Sequence, residues 1–211
     1  MLERIKNLFN RKKEDISVEE KIDNLYNGLY NDIILLNIGE DLSKFNNIFL
    51  DTIQKLREEI KEECGFIIPG IPVVYNEALQ ENEFAVFIRG NYAKNGYLIP
   101  NEDGIKEEFY DELKTLIYDK MEIIFTNEVA ERYIDTVQRK NGWLIWNITR
   151  ILSVPDIKII LSEIINSGKS INDIGYVFEK IGDKILLNGG YQDCFRQHNP
   201  HNIAKEIIKE M

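Results

Sequence analysis

Residues 62–73 read EECGFIIPGIPV, and this stretch decides how the chain is organised. It follows residues 43–64, where Phe45, Phe49, Ile53, Leu56 and Ile60 recur at three- and four-residue spacing, the pattern of an amphipathic helix. Lys55, Arg57, Glu58, Glu59, Lys61 and Glu62 fall between them and leave the opposite side wet. Gly65 stands where a helix stops by entering the left-handed backbone region, which glycine does without steric cost. Pro69 and Pro72 remove two backbone donors and push the residues before them into extended backbone. Beyond the joint, residues 71–75 read as a strand. Residues 83–90, EFAVFIRG, alternate Phe84, Val86 and Ile88 with Ala85, Phe87 and Arg89, as a two-faced strand does. The joint built by Gly65, Phe66, Pro69 and Pro72 therefore turns a helix back onto a sheet, and none of these four side chains is a catalytic group.

Working outward, NDIILLNIG (residues 31–39) predicts a buried strand, with a short helix over 18–31 before it and Ser43 opening the long helix. Asn95-Gly96 is a turn signal joining short strands within 91–104, with Tyr92 and Tyr97 flanking it. After Gly104 the periodicity becomes helical, over 105–121, 126–141, 142–152, 155–167 and 170–181. Pro155 suits a first turn, Gly168 a stop, and Ser170 a cap with Asp173 close behind. Five short helices are not stable singly, so their apolar faces require a bundle. ILLNGGYQDCF reads as a hairpin or a loop, and PHNIAKEIIKEM as a terminal helix. The expected class is α+β: a small helix-packed sheet followed by a multi-helix bundle. The expected divisions are a basic arm and helical segment (1–30), an α/β part (31–104), a helical part (105–182), and a turn-rich tail with a terminal helix (183–211).

The chain has 211 residues, a net charge of −10 and a pI near 4.9, which argues against general nucleic-acid affinity. No apolar run reaches the ~18 residues of a membrane span, and the first residues lack a secretory signal. With two cysteines, Cys64 and Cys194, the reading is reduced thiols in a cytoplasmic protein. The opening MLERIKNLFNRKK sets Leu2, Ile5, Leu8 and Phe9 against Arg4, Lys6, Arg11, Lys12 and Lys13. Such a basic amphipathic arm is suited to peripheral contact with an acidic inner-membrane surface, to a partner, or to packing on its own body.

Chemistry is sparse. His198 and His201 are the two histidines, and Cys194 precedes His198 by four residues. They form neither a closed zinc set nor a nucleophile with an oxyanion hole. NSGKS lacks the earlier glycine and spacing of a phosphate loop. The carboxylates Glu58, Glu59, Glu62, Glu63, Glu107, Glu108, Asp111 and Glu112 read as solvated helix faces. No catalytic residue, metal or cofactor is expected. Trp143 and Trp146, three apart beside Ile145 and Ile148, admit two readings: anchors for a protein partner, or residues stapling their helix into the core. Tyr92 and Tyr97 form a second candidate contact.

The order of these features resembles the cytoplasmic domain of the bacterial flagellar and type III secretion export-gate family, whose large component is often called FHIPEP. The resemblance starts in FLDTIQKLREEIKEE and continues through Gly65, Phe66, Pro69, Asn76, Leu79, Asn82, Glu83 and Phe84 to Ile88-Arg89-Gly90. It resumes in the helical run around Pro155-Asp156 and Gly168-Lys169-Ser170-Ile171-Asn172-Asp173. Phe84 occupies the family's tyrosine-like position, and Tyr75 stands where an acidic residue is usual. The stretch between Gly90 and Glu107 is too short for the family's inserted subdomain, which in full gates contributes to docking chaperone–substrate complexes. The resemblance implies a trimmed relative without a membrane domain, acting as a noncatalytic protein-binding adaptor or scaffold. Ring-like homo-oligomers are implied by the same likeness. Two other readings stand beside it: a Cys194/His198 or Cys194/His201 enzyme, and a membrane-surface regulator acting through residues 1–13.

Overall fold

Ile34, Leu36 and Ile38 are buried on alternate positions of β1 (Ile34–Ile38), an interior strand of a four-stranded sheet ordered β2 (Val73–Tyr75), β1, β3 (Glu83–Ile88) and β4 (Asn91–Tyr97). The computed structural model describes residues 32–187 and 198–211; the expected helix at 18–31, the basic arm, the 188–197 segment and Cys194 lie outside the described residues. β1 runs parallel to β2 (Val73–Tyr75) and antiparallel to β3 (Glu83–Ile88). That register sets Ile34, Leu36 and Ile38 opposite Ile88, Val86 and Phe84, so one sheet face is a continuous apolar surface. Phe49, Ile53, Leu56 and Ile60 of the long helix α2 (Asn46–Cys64) share its core. Phe109 closes the layer, its ring edge-on to Phe49 at 4.9 Å and to Phe84 at 5.4 Å.

Local details depart from the sequence expectation. Ser43 ends a short helix α1 (Glu40–Ser43), with its hydroxyl donating to the Glu40 carbonyl; α2 begins at Asn46. Asn95-Gly96 is no turn: β4 (Asn91–Tyr97) runs straight through it. The hairpin turns instead at Arg89-Gly90, both at positive φ (51° and 74°), which gives the primed geometry two-residue hairpins favour. Gly96 is needed because the Phe84 ring lies 2.6 Å from where its Cβ would stand. Ser170 does not cap the last bundle helix. Its hydroxyl accepts from the Asn172 amide, and the Asp173 carboxylate accepts from the Tyr176 amide, so the helix starts at Ile174.

A π-helical turn (Gly104–Phe109) leads into α3 (Tyr110–Asp119), followed by α4 (Met121–Ile124) and α5 (Asn127–Gln138). Then come α6 (Gly142–Thr149), α7 (Val154–Asn166), α8 (Ile174–Leu187) and α9 (Pro200–Glu210). The α7 start is a reciprocal cap: Ser153 Oγ accepts from the Asp156 amide, and Asp156 accepts from the Ser153 amide, with Pro155 in the first turn. Glu59 and Glu63 are not simply solvated. Lys114 of α3 is ion-paired to Glu59 and, at 2.9 Å, to Glu63; the Tyr110 and Tyr118 hydroxyls donate to the same two carboxylates. Lys184 and Lys180 likewise tie α8 to Glu210 of α9. Asp32–Met211 form one compact unit, its core continuous from Ile34 to Ile207.

Candidate functional site

Gly65 has φ +79°, and a Cβ there would stand 2.6 Å from the Asn172 amide nitrogen, so the joint needs glycine both for its backbone angle and for room. Its amide donates to the Lys61 carbonyl, closing α2. Two of the carbonyls that α2 leaves open are met from the segment before α8: Ile171 N–H donates to Cys64 O, and Asn172 Nδ2 to Glu62 O, each at 2.8 Å. Phe66 is buried and stacks on Phe125, which stacks on Tyr133. The Tyr133 hydroxyl accepts from the Ile67 amide at 2.9 Å and donates to the Gly65 carbonyl at 2.8 Å. Burial pushes that phenol up to about 12, so it stays a neutral donor at ordinary pH. On the sheet side, Pro72 O accepts from the Leu36 amide at 3.0 Å. The joint is a structural hub. Beside it lies a cavity of about 370 Å3 lined by Arg57, Lys61, Gly65, Ile67, Pro69, Arg132 and Tyr133 among others. Sequence reasoning had no signal for this cavity, because α5 and the joint meet only through tertiary packing.

The tryptophans are on the surface. Asn141 caps α6 by accepting from the Leu144 amide, and this fixes the helix so that Ile145 and Ile148 enter the core. Trp143 and Trp146 then face outward, 71% and 47% exposed. Their rings stack at 5.1 Å with 20° between planes, and the Arg150 guanidinium sits 4.4 Å from the Trp146 centroid. Of the two readings the sequence left open, stapling into the core is set aside, since the isoleucines fill that role. Trp143 also lines a groove of about 410 Å3 between α6 and α8, with Leu144, Ile148, Ile151, Ile185 and Leu186 as its apolar walls and Glu179 and Asp183 at its edge.

Tyr92 and Tyr97 lie on one strand rather than around a turn. A bulge shifts the register between Val86 and Phe87, so Tyr92 pairs with Phe87 and Tyr97 with Glu83. Directly paired residues share a sheet face, and Phe87 and Glu83 are four apart on β3. Two tyrosines five residues apart are thereby brought to the same face, 60% and 55% exposed, opposite the core. They lie on a different element from the tryptophans, Tyr92 being in ring contact with Phe87 and Trp143 with Trp146.

Of the candidate chemical groups, Cys194 lies outside the described residues. His201 is paired with Glu163 of α7, and no group of three or more His, Cys, Asp or Glu residues able to hold a metal occurs among the described residues. Cys64 is buried, its thiol donating to the Ile60 carbonyl at 3.2 Å. Desolvation pushes its pKa up, the reverse of what an activated thiolate needs. No helix among the described residues is long and apolar enough to cross a membrane.

No family model matches the chain. The flagellar biosynthesis protein FlhA of Bacillus subtilis (strain 168) is 24% identical, over 76% of this chain and 30% of FlhA. Among solved structures, the Chlamydia pneumoniae CdsV protein superposes with a TM-score of 0.67 at 14% identity, covering 82% of this chain and 63% of CdsV. The nonameric EscV cytosolic domain from the type III secretion system superposes at 0.62 with 16% identity, covering 84% and 65%. The chain thus spans under a third of FlhA and less than two thirds of each solved domain. Over that part its fold is that of the export-gate cytosolic domains.

Proposed function

We propose that this export-gate-like, FHIPEP-like domain is a noncatalytic protein-interaction module, an adaptor or scaffold whose docking surfaces are the Trp143/Trp146 face and the Tyr92/Tyr97 face. The observation that carries the reading is the exposed, stacked tryptophan pair beside an apolar groove. Large exposed aromatics that pack on each other cost little order on binding and are the residue type that anchors protein interfaces. In this reading the α/β part, residues 31–104, with its Gly65–Pro72 joint, holds the orientation of the helical part, 105–182. α9 (Pro200–Glu210), tied to α8 through Glu210, closes the bundle. Secretion export is the setting suggested by the relatives, and the EscV domain is nonameric, so self-assembly of this chain belongs to the same proposal. A cytoplasmic location at the inner membrane, with residues 1–13 as a secondary contact, completes it.

The test is affinity capture from a native cytoplasmic extract, followed by quantitative binding of purified partners. Tyr97→Ala, Trp146→Ala and a chain lacking residues 1–13 are compared after folding is verified. A true anchor loses about 2 kcal/mol or more, whereas a rim contact is nearly neutral. Specific partners that bind all three variants normally would refute the assigned faces. Turnover abolished by Cys194→Ser would replace the noncatalytic reading with an enzyme.

A further inference from the structure

We infer that the groove between α6 and α8 receives a cationic amphipathic segment of a partner protein, its apolar side chains against Trp143 and the isoleucine wall and its lysines or arginines against Glu179 and Asp183. The inference rests on the reading of the tryptophan face as a docking surface and adds the chemistry of what docks. Glu179 and Asp183 are the charged residues lining the groove. Both are exposed, and neither forms an ion pair among the described residues. They are one helical turn apart on α8, the spacing that puts two side chains ~5–6 Å from each other on one face. Lys180 and Lys184, each one position further along the same helix, are drawn to Glu210 on α9. The two lysines beside these acids in sequence are therefore held by Glu210, and the groove edge stays negative.

The walls supply the other half of the recognition. Ile148 and Ile185 are buried floor residues, while Trp143 and Leu186 stand 71% and 68% exposed at the mouth, so a docking apolar side chain would cover surface now facing water. A groove of about 410 Å3 falls within the ~300–1,000 Å3 of ordinary ligand clefts. Two acids at helical spacing beside it match two cations at helical spacing on the incoming segment. The chain's net charge of −10 adds long-range attraction of the same sign. A segment carrying carboxylates at those positions would meet repulsion.

Trp143 and Trp146 are the two tryptophans of the chain, so its intrinsic tryptophan emission reports this face alone. The probe is a labelled leucine/lysine amphipathic helical peptide without tryptophan, beside the same peptide with glutamate for lysine. Binding is followed by anisotropy of the label and by protein emission. The lysine peptide should bind saturably, shift the emission, and bind the Glu179→Gln/Asp183→Asn variant at least about tenfold more weakly at low salt. The glutamate peptide should not bind. A Glu107→Gln/Glu108→Gln variant removes the same charge from exposed positions before α3 and should behave as the parent. The inference is overturned by equal losses in the two double variants, by binding without an emission change, or by equal binding of the glutamate peptide. It is equally overturned if the groove is filled by a second copy: self-association lost in Trp143→Ala, with no lysine-peptide binding. If captured partners depend on Trp146 but ignore Glu179 and Asp183, the docking face stands and the cationic segment falls. If they ignore all of these residues, both fall.

Discussion

Replacing Tyr133 with Phe removes one oxygen and leaves a ring that can still stack on Phe125 at 5.8 Å. The hydroxyl bridges the Ile67 amide and the Gly65 carbonyl, so the substitution orphans a donor and an acceptor at the α2–sheet joint. An ordinary protein hydrogen bond contributes about 1 kcal/mol net, and a buried group left unpaired costs about 1–3 kcal/mol. Two orphaned groups in a dry site would thus cost roughly 2–6 kcal/mol. The adjoining cavity of about 370 Å3 is large enough to admit water, and Ile67 is half exposed, which places the expected loss at about 2 kcal/mol. Thermal unfolding should then shift down by about 4–8 °C, at ~2–4 °C per kcal/mol for a domain of this size. The assay is urea unfolding of Tyr133→Phe against the parent, with the midpoint lowered and the slope unchanged. Amide exchange of Ile67 should accelerate in parallel. A change below about 0.5 kcal/mol, within the range of neutral surface substitutions, with Ile67 still protected, would refute the argument that this bridge holds the joint.

Gly65→Ala should destabilise by about 3 kcal/mol or more, since a strained left-handed backbone is added to a 2.6 Å overlap with the Asn172 amide; loss of a cooperative transition or a large midpoint drop in urea checks it. Lys114→Met should flatten the acid limb of stability. The Lys114 ammonium and then the Tyr110 hydroxyl hold the Glu59 carboxyl below its usual range. A depressed carboxylate adds stability above its unfolded value and loses it as pH falls through the folded one. The parent should therefore lose stability below about pH 4.3, and the variant should lose less; identical acid limbs would count against the clamp. In a Cys194→Ser background, Cys64 should react with a thiol reagent only at the rate of local or global opening, because it is buried and its thiol pKa is raised; immediate labelling of folded protein would contradict this.

What was legible in the sequence was what short-range periodicity and glycine stereochemistry determine. The α2 stripe, the Gly65 stop and the alternation of β3 each follow from one element's own residues, and the structure places them as expected. Pairing partners were not legible. Asn95-Gly96 carries the turn composition, yet the hairpin formed at Arg89-Gly90, because the register that seats Phe84 over Gly96 outweighs the local signal. The same limit applied to Glu59 and Glu63, which read as solvated until α3 supplied Lys114, Tyr110 and Tyr118. At the candidate site, the three-residue spacing of Trp143 and Trp146 predicted a shared face. Which side of α6 met the core was decided by Ile145 and Ile148 packing in the bundle. The α6–α8 groove and the cavity at the joint join segments tens of residues apart, so nothing local could announce them.

Hydrogen exchange on the complex with a captured partner tests the central claim, that this domain binds protein through its aromatic faces. The account predicts slowed exchange over residues 142–151 and 176–187, around the stacked tryptophans and the groove that Trp143 lines, with any second footprint over 91–97. Protection confined to other segments, with these three unchanged at saturating partner, would contradict it.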